Sequence, residues 1–159
     1  MRGVNNGFTL VELLITLVIA AILVTVAVPN FSGIIQNNRL ITQTNSLIAD
    51  LNYARSEAIK RNAPIDVSAI DGDWINGWQI KLNGAPDGDF LRQSTEVLQG
   101  MAIKTTGDTD SLTFQRTGFA NGNTLEFTLC DARGDDYGRI VNVASTGRVA
   151  VAHEDADCS

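Results

Sequence analysis

Histidine and cysteine are scarce: one His and two Cys in 159 residues. That is too few ligands for a zinc centre, and no Cys/His spacing resembles one. The single His153 has no Ser or Cys companion in a nucleophile motif and reads as a surface residue. Only three prolines are present, and no Ser, Gly or Pro run marks an interdomain linker. A glycine-rich phosphate loop is absent, as is any internal repeat in the roughly 20–50-residue range. Cations are outnumbered, 12 Lys+Arg against 18 Asp+Glu, for a net charge of -6. Bulk electrostatics therefore exclude a generic nucleic-acid binder, while a local basic patch stays open. Asp71/Asp73 and Asp135-Asp136 read as turn acids rather than calcium ligands. No cofactor, no metal and no enzymatic activity are expected. What is present is 44% hydrophobic and 19% charged, the composition of a folded chain. Its length suits one ordinary domain, or a smaller one with an appendage.

The apolar residues concentrate at the N-terminus. Residues 10–28 read LVELLITLVIAAILVTVAV, apolar apart from Glu12, Thr16 and Thr25. As a helix this run spans roughly 28 Å, close to the hydrocarbon core of a bilayer. Arg2 and the initiator amine are the only cations ahead of it, which orients the N-terminus to the cytoplasm. A secretory signal peptide is one reading, with Thr25-Val26-Ala27 as a small-x-small cleavage site. Glu12 argues against it. A carboxylate in an apolar segment is costly, and one kept there points to a function with a partner.

Gly7-Phe8-Thr9-Leu10-Val11-Glu12-Leu13-Leu14 resembles the processing signature of type IV prepilins and type II secretion pseudopilins, and Pro29 falls where those proteins often carry a proline. The resemblance implies that a prepilin peptidase cuts between Gly7 and Phe8 and methylates the Phe8 amine. Residues 1–7 are then a leader and residues 8–29 a transmembrane and assembly segment that stays in the mature protein. Glu12, four residues after Phe8, is placed to meet the Phe8 amine of a neighbouring subunit in a filament. In a low dielectric such a pair offsets the burial of both charges and sets axial register.

Residues 30–159 are expected to form the globular domain, periplasmic or extracellular, of a protein that spans the inner membrane once. Pro29 and Gly33 predict a kink or local melting. From 34 to 61 the chain reads as an amphipathic helix. Its stripe is Ile34, Ile41, Ile48, Leu51, Ala54 and Ala58, widened by Leu40, Leu47 and Ile59. Arg39, Asp50, Arg55, Glu57 and Lys60 are assigned mostly to other faces, and Asn62-Ala63-Pro64 ends the helix. Strands are expected at 65–70, 78–82, 112–114, 125–129, 140–143 and 149–151, with turns at Asp71-Gly72-Asp73, Asn76-Gly77, residues 83–88, Asn121-Gly122 and Gly134. One helix followed only by strands gives an α+β fold, a largely antiparallel sheet with one face on the helix. That is also the type IV pilin-like fold the resemblance implies.

A second resemblance narrows the family. Leu51-Asn52-Tyr53-Ala54-Arg55-Ser56-Glu57-Ala58-Ile59-Lys60-Arg61 is similar to the LxxARSEAIxR segment of minor pilins and H-type minor pseudopilins, the GspH/FimT group. Gly77-Trp78, Leu129-Cys130-Asp131 and Thr146-Gly147-Arg148 fit the same group. The implied function is a minor type IV pilin that primes assembly or sits in a tip complex, with other pilin subunits, the prepilin peptidase and the inner membrane as partners. A minor pseudopilin of type II secretion and a DNA-binding minor pilin for natural transformation are the alternatives. DNA-binding members carry Gly-Arg-x-Arg near the C-terminus. Here Gly147-Arg148-Val149-Ala150 lacks the second Arg, leaving Arg133, Arg139 and Arg148 to line one edge. Outside the cytoplasm an isolated cysteine pair usually forms a disulfide. Cys130 and Cys158 would clasp the acidic tail from residue 153 to 159, with two free thiols as the alternative.

Overall fold

The computed structural model describes residues 8–95, 97, 100–122, 124–152 and 156–158, with side chains described except at residues 26–30 and 95. Residues 1–7 and His153 lie outside the described residues. Contacts divide the chain into two compact units, Met1–Gln36 and Asn37–Ser159. Helix α1 is Leu10–Arg61.

In the first unit, α1 carries large apolar side chains that are exposed all round, from Leu10 at 79% to Ile35 at 50%, and Phe8 just ahead of it is 79% exposed. The helix is assigned without interruption through Pro29 and Gly33, so the melting expected there does not occur. A proline deletes a single backbone bond, and the turns on either side keep theirs. Among the described residues, no helix is long and apolar enough to cross a membrane. The fully described part of the apolar run is Leu10 to Thr25.

In the second unit, α1 buries Leu40, Leu47, Leu51, Ala54 and Ala58 completely. This face differs from the expected stripe. Ile59 is exposed, Ile41 and Ile48 are half-buried, and in the first unit Ile34 is exposed. Asp50 (5% exposed) and Glu57 (6%) sit on the buried side, not on the solvent faces assigned to them. Both are tolerated because both are paired. Asp50 accepts the Trp78 indole N–H at 2.8 Å and meets Arg92 at 2.9 Å. Glu57 takes Lys60 and Arg61 from the next turn. A Schellman motif ends the helix. Asn62 adopts φ 50°, its N–H bonds the Ile59 carbonyl, and the Ala63 N–H bonds the Ala58 carbonyl.

Eight strands follow among the described residues: β1 Ile65–Ile70, β2 Asp73–Leu82, β3 Arg92–Thr95, β4 Met101–Thr105, β5 Ser111–Phe114, β6 Leu125–Asp131, β7 Arg139–Val143 and β8 Val149–Ala152. They form two four-stranded sheets rather than one, ordered β3-β2-β1-β5 and β4-β6-β7-β8. Every pairing is antiparallel. The β1–β2 turn uses left-handed Asp71 and Gly72, as its sequence demands. Asn76-Gly77, expected as a turn, lies inside β2. The register jumps from Ala69↔Trp78 to Ile70↔Asp73, so these residues form an irregular bulge within the strand. One core joins the helix face to Trp78, Ile80, Phe114, Phe127, Leu129, Val141 and Val143. Trp74 meets Phe127 edge-on, with ring centroids 4.8 Å apart.

Candidate functional site

The helix start is built by Thr9 and Glu12. Helical backbone begins at Leu10, so Thr9 is the N-cap and Glu12 the third helical residue. The Thr9 N–H donates to Glu12 Oε2 at 3.0 Å, the Thr9 hydroxyl to the same oxygen at 2.9 Å, and the Glu12 N–H to Thr9 Oγ1 at 3.3 Å. This is a capping box, which supplies partners for donors a helix start leaves unpaired. Thr-x-x-Glu was legible in the sequence, but the signature drew attention to the glutamate alone. Thr16 and Thr25, the other polar side chains of the run, donate to the Leu13 and Ile22 carbonyls. Every polar side chain from Leu10 to Thr25 is therefore served within its own helix, while every large apolar one is exposed. Of the processing pair, Phe8 is described and Gly7 lies outside the described residues.

Arg55 ties the end of α1 to two loops. Its Nε donates to the Gly118 carbonyl at 3.0 Å and its Nη2 to that of Thr146 at 3.3 Å. Gly147 is buried, with φ 75°, and a Cβ there would overlap the Gly118 carbonyl. The Ala-Arg-Ser-Glu-Ala and Thr-Gly-Arg motifs thus meet in space. Their shared feature is this packed junction, with Arg55 as donor and Gly147 small enough to admit the opposing backbone.

The three candidate DNA-binding arginines are not brought together. Asp131 holds Arg133 through a two-pronged pair, Nε at 3.0 Å and Nη2 at 2.6 Å, and its guanidinium stacks 4.2 Å from the Tyr137 ring. The hydrogen bonds from Arg133 keep the Asp131 carboxyl below its ordinary value. Arg139 opens β7 beside this pair, its Nε buried with no partner among the described residues. Arg148 precedes β8 at the far end of β7, where Val143 pairs Val149. Four residue steps along β7 separate the two ends, about 14 Å.

Cys130 on β6 and Cys158 form the disulfide, with Cα atoms 5.7 Å apart. Asp135 supports it by accepting the Cys158 N–H at 2.8 Å. Gly138 leaves room for this tail, since a Cβ there would overlap Ala156 and lie 2.9 Å from the Cys158 sulfur. Asp71 sits in the β1–β2 turn and Asp73 accepts the Ile75 N–H. No cluster of three or more metal-ligating side chains occurs among the described residues.

Comparison with known proteins agrees with this geometry. The prokaryotic N-terminal methylation motif matches residues 2–28. The structure resembles that of the type IV minor pilin FimU of Pseudomonas aeruginosa in two crystal forms. In space group P21 the TM-score is 0.69 at 26% identity, covering 78% of this chain and 98% of the crystallised FimU chain. In P65 it is 0.67 at 26% identity, covering 76% and 100%. It also shares its fold with the minor pseudopilin EpsH of the Vibrio cholerae type 2 secretion system, with TM-score 0.55, 12% identity, and 72% and 96% coverage. No curated protein sequence matches the chain. The model of type II transport protein GspH matches residues 43–147, most of the chain, and the protein belongs to that family of minor pilins and pseudopilins.

Proposed function

We propose that the chain is a minor type IV pilin, incorporated into a pilus and helping to initiate its assembly. The observation that carries this reading is a helix apolar on every face, headed by a capped carboxylate, with nothing among the described residues of its own unit to bury it. A helix hydrophobic all round belongs in lipid or among other helices. Before assembly residues 8–29 lie in the inner membrane, N-terminus cytoplasmic and globular domain periplasmic. After peptidase cleavage between Gly7 and Phe8 the same apolar surface packs against other subunits. Glu12 has two roles in this scheme. Oε2 accepts from Thr9 in its own helix, and Oε1 is left to accept from the methylated Phe8 amine of a neighbour.

The likeness to FimU, which spans nearly all of the chain in that crystal structure, favours a pilus. A pseudopilus role in type II secretion is supported by the GspH family match. DNA binding has less support, because Arg133 is held by Asp131 and Arg139 and Arg148 stand at opposite ends of β7. Two measurements test the proposal. Mass spectrometry of the mature protein is expected to show methylated Phe8 as the first residue; a mature start at Val28 restores the signal-peptide reading. Deletion of the gene, scored separately for piliation, twitching, DNA uptake and secretion, is expected to reduce piliation and twitching. A loss of secretion alone assigns the chain to a pseudopilus.

A further inference from the structure

The sheet β4-β6-β7-β8 ends at β8, whose sequence is Val-Ala-Val-Ala. Proteins blunt such edges with lysine, proline, a bulge or a very short strand; β8 is short and is entered through a bulge at Gly147-Arg148, but it carries neither lysine nor proline. The Ala144 N–H donates to the Arg148 carbonyl at 2.9 Å, which makes that pair a hydrogen-bonded one. Antiparallel pairs alternate, so the register Val143↔Val149, Asn142↔Ala150, Val141↔Val151 and Ile140↔Ala152 directs the polar groups of Ala150 and Ala152 toward β7. Val149 and Val151 turn their N–H and C=O groups outward. Among the described residues nothing bonds them, and Val151 is 38% exposed.

The neighbouring surface has its own unmet chemistry. Asn142, Ala144, Arg148, Ala150 and Ala152 line a shallow groove beside this edge. The alanines leave depth for incoming side chains. Asn142 Oδ1 is buried and accepts no hydrogen bond among the described residues, an arrangement that is costly unless a donor arrives. Arg148 stands exposed at the groove's end with no acidic partner among the described residues.

We propose that β8 is an acceptor edge, to which an extended, acidic segment of a neighbouring filament subunit adds as a fifth strand. Its backbone pairs with Val149 and Val151, a carboxylate meets Arg148, and an amide or hydroxyl donor reaches Asn142. Charge selects this occupant: Arg148 is exposed and has no acidic partner among the described residues, so the added strand supplies the carboxylate. The proposal rests on the reading of the chain as a filament subunit.

The test compares backbone hydrogen exchange of the 144–152 peptide in assembled filaments and in the full-length processed chain held in detergent. Assembly is expected to slow exchange at Val149 and Val151 about tenfold or more. Two full-length variants accompany it. Val151→Pro removes an outward-facing N–H without touching the bonds to β7. Arg148→Glu reverses the charge on an exposed residue and serves should the proline variant misfold. Each is expected to form the Cys130–Cys158 disulfide yet fall about tenfold in the sheared filament fraction. Unchanged exchange, parent-like incorporation of a folded variant, or a discrete dimer of the purified chain overturns the proposal. A parent chain absent from the filament fraction overturns the filament reading itself. A parent whose incorporation depends on Glu12, with neutral edge variants, sinks only the strand addition.

Discussion

Two acids decide how the second half of α1 packs. Asp50 lies among apolar neighbours because the indole of Trp78 and the guanidinium of Arg92, itself 5.1 Å from the Tyr53 ring, supply the hydrogen bonds that water gave up. Periodicity alone assigns acids to solvent, so this site was illegible in the sequence: Trp78 is 28 residues away and the pair exists only after folding. The variant Asp50→Ala strands the Trp78 N–H and is expected to cost about 2–3 kcal/mol in denaturant unfolding. A loss under about 0.5 kcal/mol would place the pair among inert contacts. Asp131 gives a pH signature. Hydrogen bonds from Arg133 lower its carboxyl in the native state, and those from Arg61 and Lys60 do the same for Glu57. On acidification the unfolded chain takes up these protons first, near pH 4. The stabilisation is therefore complete above about pH 4 and is lost as pH falls through the lower native values. Thermal unfolding midpoints are expected to hold from neutral pH to that point and then drop, and Arg133→Gln is expected to flatten the drop.

At the scale of elements, legibility followed the local signal. Alternation revealed β1 and β5, which point a clear apolar face inward; short apolar runs marked β6 and β7, and Val-Ala-Val marked β8 although none of its residues is fully buried. It missed β3, which is Arg-Gln-Ser-Thr on a sheet edge, and β4, where only Met101 and Ile103 mark the inner face. The division into two sheets was also hidden, because β1 pairs with β5 across some forty residues and no local pattern encodes that choice. The disulfide was legible from the cysteine count and the compartment that the N-terminal resemblance implies. Replacing Cys130 and Cys158 together by Ala is expected to cost about 3–4 kcal/mol by the chain-entropy relation. Protease cleavage near residues 156–158 should rise in parallel; an equally resistant tail would show that Asp135 and Gly138 hold it unaided. The capping box makes Glu12→Gln a clean test at the helix start. Glutamine preserves the Thr9 interactions, because Thr-x-x-Gln caps as Thr-x-x-Glu does. The charge is lost, and with it the second acceptor oxygen, which becomes an amide donor. Processing at Gly7/Phe8 is expected to continue while filament incorporation falls about tenfold, the effect of roughly 1.4 kcal/mol. Parent-like incorporation would remove Glu12 from the intersubunit contact.

For the whole molecule, charge settles how DNA binding should be tested. Beyond Pro29 the chain carries 11 Lys+Arg (12 less Arg2) and 17 Asp+Glu (18 less Glu12), so its long-range field repels phosphate. Attraction has to be local. Arg133 is occupied by Asp131, and Arg139 and Arg148 stand at opposite ends of β7, so each meets phosphate singly rather than as a cluster. Two phosphate contacts give a salt slope of only about -2. The full chain in neutral detergent is therefore expected to bind duplex DNA weakly or not at all near physiological salt, measured by fluorescence anisotropy over a salt series. The missing second arginine supplies the converse experiment. Ala150 shares a sheet face with Arg148, both lining the groove at β8. Ala150→Arg concentrates two cations there and should strengthen whatever binding exists, steepening the slope by about one. Tight binding by the parent chain, abolished by Arg148→Ala with the fold intact, would reverse the order of the readings and make DNA the ligand of this edge.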